Sequence, residues 1–139
     1  MPSRPRKTLL QFELRVSRRN KVLRVVHRKT NRTVQIFKVA TGTASTPTPR
    51  GTFRVDHVNH EPFFRRKDKS IIPPGPGNPL HPVLIVLQRH GKRIPQSIHG
   101  TKATASIGTA ASAGCIRLNR ADAGLLASLV KPNMRVKIR

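Results

Sequence analysis

The segment IHGTKATASIGTAASAGCIRL, residues 98–118, holds the single cysteine of the chain, Cys115, and one of its six histidines, His99. Its only charged side chains are Lys102 and Arg117, both positive. Ser112, Ala113 and Gly114 are small, turn-forming residues, so they set the thiol on a tight bend rather than inside a packed strand. Such a bend can aim successive backbone N–H groups at one point, as an oxyanion hole requires. Positive surroundings favour the thiolate, the reactive form of cysteine. A lone cysteine is otherwise a small buried hydrophobe, and the residues by themselves leave both readings open. His99, at the end of a predicted strand and followed by Gly100 and Thr101, is the natural general base for a thiol nucleophile. No carboxylate is placed to orient its ring, so a backbone carbonyl or a hydroxyl has to do so.

Working outward, the upstream chain reads as strands. Apolar residues occupy every second position from Leu10 to Val16, the period of a half-buried strand. A polar turn over residues 18–21 leads to a second strand over 22–27, making a hairpin. A third strand covers 33–40, with a slip in alternation between Ile36 and Phe37 that suggests a bulge. Residues 44–51 form a loop stiffened by Pro47 and Pro49, and 52–58 a fourth strand. Residues 61–82 are rich in Pro and Gly and have no period, which suits a lid or binding rim, or disorder. The run VLIVL, 83–87, reads as a central strand buried on both faces. Downstream of Cys115, residues 121–130 form the one convincing helix, with Asn119 as N-cap, Asp122 in the first turn and an apolar face of Leu125, Leu126 and Leu129. Pro132 ends it, and residues 134–138 form a closing strand. The class is mostly β with one short C-terminal helix, in one domain over residues 9–139 behind a flexible basic arm at 1–8.

Composition narrows the function. The 139 residues include 12 prolines and 9 glycines but no tryptophan or tyrosine, which suits a small β-rich domain. One cysteine excludes an internal disulfide and the thiolate zinc sites. His57 and His60 have no further ligand at metal spacing, so no metal site is expected. The five carboxylates, Glu13, Asp56, Glu61, Asp68 and Asp122, are scattered, and paired-acid glycosidase chemistry has no support. Lys and Arg total 28, for a net charge of +23, which points to an anionic partner: nucleic acid, a wall polymer or an acidic membrane surface. No run reaches transmembrane length. The basic start is not followed by the apolar stretch of an export signal, because Glu13 and Arg15 interrupt it.

These motifs together resemble the L,D-transpeptidases, the YkuD-type domains. His99-Gly100-Thr101, Ile107-Gly108 and Ser112-Ala113-Gly114-Cys115-Ile116-Arg117 are similar to the family signature. Thr41-Gly42 with Thr46-Pro47-Thr48-Pro49-Arg50-Gly51-Thr52-Phe53 resembles its TG…TPTPxGxF segment, and Gly77-Asn78-Pro79-Leu80 its GNPL loop. The resemblance implies a β-sandwich-like catalytic domain acting on peptidoglycan stem peptides without a cofactor. It implies Cys115 as nucleophile and His99 as base, with Ser112, Ala113 and Gly114 shaping the bend and the oxyanion site. Arg117, Gly100 and Thr101 would contact substrate. The acyl group would pass to an amine, giving a 3→3 cross-link, or to water. Two departures stand out: Ala113 replaces a histidine common among relatives, and His81-Pro82 follows the GNPL motif where glycine is usual.

Three functions remain distinct at this level. The first is a cysteine L,D-transpeptidase at the cell envelope, its basic surface attracted to anionic wall polymers. The second is a nucleic-acid- or polyanion-binding protein, which charge supports but the scarcity of aromatics does not. The third is a structural protein on the same fold, for example in a virion.

Overall fold

The computed structural model describes residues 10–139; the arm expected over residues 1–8 lies outside them. An eight-stranded mixed sheet dominates. In chain order its strands are β1 (Phe12–Ser17), β2 (Val22–His27), β3 (Thr33–Lys38), β5 (Gly51–Asn59), β8 (Leu84–Arg89), β9 (Lys92–Thr101), β11 (Ile116–Asn119) and β12 (Arg135–Ile138). Two small two-stranded sheets add β4 (Thr41–Gly42) paired with β10 (Ala110–Ser112), and β6 (Phe64–Arg65) paired with β7 (Ile71–Ile72). Among the described residues there is one α-helix, α1, spanning Arg120–Leu129.

The spatial order is β11-β9-β8-β5-β12-β1-β2-β3. Only β1–β12 and β9–β11 run parallel within it; their neighbours pair antiparallel. The sheet curls back on itself. Just beyond β3, Ala40 exchanges backbone hydrogen bonds with Arg117 of β11 at 2.8 and 3.0 Å, so its two edges meet. One continuous apolar cluster fills the interior, drawing Leu14, Leu23, Phe37, Phe53, Ile85, Ile98, Leu118 and Val136 from all eight strands. Alternation produces this directly: on β1, Leu14 and Val16 point into the core while Glu13 and Arg15 point to the outer face. α1 packs against β9 and β11.

Asn119 caps α1 as expected, its Oδ1 accepting the Asp122 N–H at 2.8 Å. The helix buries Ala123, Leu126 and Ala127, whereas Leu125 is 46% exposed, so the apolar stripe lies one position away from the expected one. There is no bulge between Ile36 and Phe37, which pair regularly with Arg24 and Leu23. The irregularity lies earlier on β3, where Val34 is the extra residue opposite the Val25–Val26 step of β2. Phe37 and Val39 face inward, while Val34 and Ile36 face outward. An edge strand can carry outward apolar residues, and that mimics a register slip in the sequence. Residues 61–82 are ordered around the β6–β7 hairpin. Buried Asn78 pins them, donating from Nδ2 to the Pro62 carbonyl at 2.9 Å and accepting the Leu80 N–H at 2.8 Å. Arg120 at the start of α1 clamps the same loop, donating to the carbonyls of Pro76 and Asn78 at 2.9 and 2.8 Å. Among the described residues no helix is long and apolar enough to cross a membrane.

Candidate active site

β9 and β11 lie side by side in parallel, with Ile116 opposite Ile98 and Arg117 opposite His99. Ile98 and Ile116 fill the core, so Ser97 and His99 take the other face of β9. Cys115, one residue before β11, therefore arrives beside Ser97. The Ser97 hydroxyl lies 3.7 Å from Cys115 Sγ, a sulfur hydrogen bond. Sequence reasoning missed Ser97, although its two-residue offset from His99 on a strand carried the signal.

His99 is 7% exposed, and its Nδ1 lies 2.7 Å from the Gly100 carbonyl oxygen. A carbonyl only accepts, so Nδ1 carries the proton and donates. Nε2 is then the unprotonated ring nitrogen, the one able to take a proton. A backbone carbonyl thus occupies the place that an acid fills in other triads. Burial pushes the Cys115 thiol up, but the His99 hydrogen bond, the Ser97 backbone, the His99 charge and the Ser97 hydroxyl outweigh it and bring the thiol down to about 7. Neither Lys102 nor Arg117 is among the groups that lower it, so the nearby positive side chains are not what activates the sulfur.

The bend before Cys115 is held by hydroxyls. Ser112 Oγ accepts the Gly114 N–H at 3.1 Å and donates to the Cys115 carbonyl at 2.6 Å. That commits the Gly114 N–H internally and leaves the Cys115 N–H as the member of the pair that Ser112 does not occupy. Gly114 has φ 120°, a left-handed conformation open to glycine, and a Cβ there would press on Gln96 Cγ at 3.1 Å. Ala113 is exposed at the tip. The loop after β4 straps this bend from outside. Buried Thr48 donates from Oγ1 to the Gly114 carbonyl and accepts the Gly42 N–H, both at 2.9 Å, while Thr46 donates to the Ser112 carbonyl at 2.9 Å. Two motifs far apart in sequence are thereby one hydrogen-bonded unit.

The remaining expected site residues sit around this pair. Gly100 lies under the loop leading into β8, where a Cβ would collide with the His81 carbonyl oxygen. Thr101 is 8% exposed and accepts the Ala103 N–H at 3.1 Å. With Gly77, Pro79, Lys102, Ala103 and Arg120 it lines a hollow of about 240 Å³ at the end of β9. Arg117 is half-buried and joins the two sheet edges through its backbone. Among the described residues no three of His, Cys, Asp and Glu converge as metal ligands would.

The L,D-transpeptidase catalytic domain of the YkuD family matches residues 11–138. YkuD of Bacillus licheniformis is 33% identical over 129 residues, covering 93% of this chain and 66% of that protein. YkuD of Bacillus subtilis is 33% identical over 108 residues, covering 78% and 55%. The chain thus spans between about half and two thirds of the length of these relatives. The L,D-transpeptidase LdtMt1, solved in complex with imipenem, superposes with a TM-score of 0.70 at 14% identity, covering 93% of this chain and 59% of that one. That likeness is one of fold. With the curled sheet, the single helix and the family match over nearly the whole chain in hand, the protein belongs to the YkuD family of L,D-transpeptidase catalytic domains.

Proposed function

We propose that this protein is a cysteine L,D-transpeptidase acting on peptidoglycan stem peptides at the cell envelope. The Cys115 thiolate attacks the carbonyl of the third stem residue. His99 Nε2 takes the thiol proton and delivers it to the departing amine of the terminal residue, leaving a thioester. The Cys115 N–H, on a bend held by Ser112 and Gly114, faces the oxyanion. An amine from a second stem resolves the thioester as a cross-link, and water resolves it as a carboxypeptidase product. Thr101 and the hollow beside it are the proposed seat of the stem peptide, with Gly100 keeping the strand close to the loop and Arg117 supplying positive charge for a substrate carboxylate.

The observation that carries this reading is a Cys115 thiol lowered to about 7, largely by His99, whose Nδ1 is held by the Gly100 carbonyl. A thiol in that range is substantially ionised at neutral pH while staying strongly nucleophilic. The test is intact-mass measurement after incubation with imipenem. Wild type gains one equivalent of adduct and Cys115→Ala gains none. A folded wild type that stays unmodified and leaves tetrapeptide stems uncut overturns the proposal.

A further inference from the structure

The outer face of the sheet carries a second feature that the transpeptidase chemistry does not use. Glu13 points outward from β1, yet it is 1% exposed because cations crowd over it. Arg15 Nε donates to it at 3.0 Å and is fixed further by Asn31 Oδ1 at 2.7 Å. Lys137, Arg135 and Arg28 stand 3.6, 3.7 and 3.9 Å away, in charge contact but beyond a good hydrogen bond. Their donors remain available. Together with Lys29 these side chains line a hollow of about 520 Å³. One carboxylate gathers several cations from β1, the β2–β3 turn and β12, which would otherwise repel each other apart.

This hollow continues into others. A second, of about 250 Å³, shares Arg15 and Lys137 with it and adds Arg24 and Arg139. A third, of about 420 Å³, shares Lys137 and Arg139 with the second and adds Arg50. Every charged side chain lining the three is cationic except Glu13. Arg135 and Lys137 alternate along β12, roughly 6.6 Å apart on one face, and Arg139 follows directly after its end. A row of linked cationic hollows fits a linear polyanion better than a single ion. Arginines converging from several strands fit a phosphate, whose oxygens can accept from more than one fork at once. No aromatic side chain lines any of the three, so the stacking platforms of single-strand nucleic-acid binding are missing. No residue of the thiol site takes part, and β5 and β8 separate β12 from β9.

We infer that this face binds a linear phosphodiester polymer without aromatic bases, of the polyol-phosphate kind, and holds the domain on it while the Cys115 site stays free. The track is independent of the catalytic reading and stands or falls separately.

The experiment is fluorescence anisotropy with labelled poly(glycerol phosphate) over a series of salt concentrations. Three double variants each remove two charges: Arg135→Gln/Lys137→Gln, Arg24→Gln/Arg139→Gln, and, as a control on the exposed β6–β7 hairpin, Arg65→Gln/Arg66→Gln. Both track variants weaken binding by about tenfold or more and lower the slope of log affinity against log salt by about 1 per lost cation. The control changes affinity by less than about threefold and leaves the slope unchanged. Circular dichroism reports the fold, and the Arg24/Arg139 variant, which spares the partners of Glu13, carries the test if the first is unstable. Equal weakening by all three variants would show net charge alone. Displacement by inorganic phosphate at matched phosphate concentration would show a single-ion site, and tighter binding of oligodeoxythymidylate a nucleic-acid surface. Each of these outcomes overturns the inference.

Discussion

At the scale of single residues, His99 Nδ1 has one hydrogen bond, to the carbonyl of its own neighbour Gly100, and that bond decides which ring nitrogen meets the thiol. Because the partner is backbone, no side-chain substitution removes it, and the tautomer is built into β9. The sulfur depends on more replaceable groups. With the thiol at about 7, the rate of imipenem acylation should rise through neutral pH and level off about one unit above it, as thiolate replaces thiol. His99→Ala moves that midpoint up and slows acylation by ~10²–10⁴-fold, the usual loss of a general base. Ser97→Ala also moves it up, but by less, and slows the reaction only about 3- to 10-fold, the worth of one neutral hydrogen bond. A midpoint unmoved in both variants would show that neither residue tunes the sulfur.

At the scale of elements, the site is assembled from β9, the bend before β11 and the strap after β4, and none of these suffices alone. The strap hangs on Thr48, a buried hydroxyl that satisfies both the Gly114 carbonyl and the Gly42 N–H. Thr48→Val keeps the shape and removes both bonds, leaving two buried backbone groups unpaired at about 1–3 kcal/mol each. Thermal unfolding of this variant should fall accordingly, and acylation of Cys115 should slow because the bend loosens. Thr48→Ser, which restores the hydroxyl, should recover most of both. If Thr48→Val melts with wild type, the strap is not what holds the bend. The helix is legible from its cap, since Asn119 and Asp122 act within a few residues of each other. The strap is a sequence motif whose partner, 66 residues away, no local pattern reveals.

At the scale of the molecule, Glu13 is the point at which part of the +23 charge converges, gathering Arg15, Arg28, Arg135 and Lys137. Burial raises its carboxyl, but the Arg15 hydrogen bond and the charges of Lys137, Arg15 and Arg135 outweigh this and hold it below the usual range. A carboxylate lowered on folding stabilises the fold above its unfolded value of about 4.3 and loses that contribution as pH falls through the folded value. Glu13→Gln should therefore cost about 2–3 kcal/mol at neutral pH, somewhat under a fully buried pair because the cations keep contact with water. The gap in unfolding temperature between the two proteins should close as pH drops below about 4. A gap that stays constant with pH would mean that Glu13 acts by packing and not by charge.

Local periodicity and capping are enough to read most of the strands and the helix, because those depend on residues two to four apart. The proposed pairing of Cys115 with His99 rests on chemistry legible in the sequence, since only one thiol exists and only one histidine closes a strand beside small residues. The long segment 61–82 looked structureless because its order comes from Asn78 and Arg120 reaching carbonyls that carry no side-chain signature. Leu125 read as core because a helical stripe shows its period but not its rotation against the sheet. Sequence alone thus determined the class of fold, through short-range spacing, and supplied Cys115 and His99 as the proposed nucleophile and base, through the resemblance of their motifs to the family. Only the tertiary structure decided what activates the sulfur, what holds its bend and where the positive charge converges. Those depend on register across parallel β9 and β11, on the meeting of the sheet's two edges, and on a buried carboxylate surrounded by neighbouring strands.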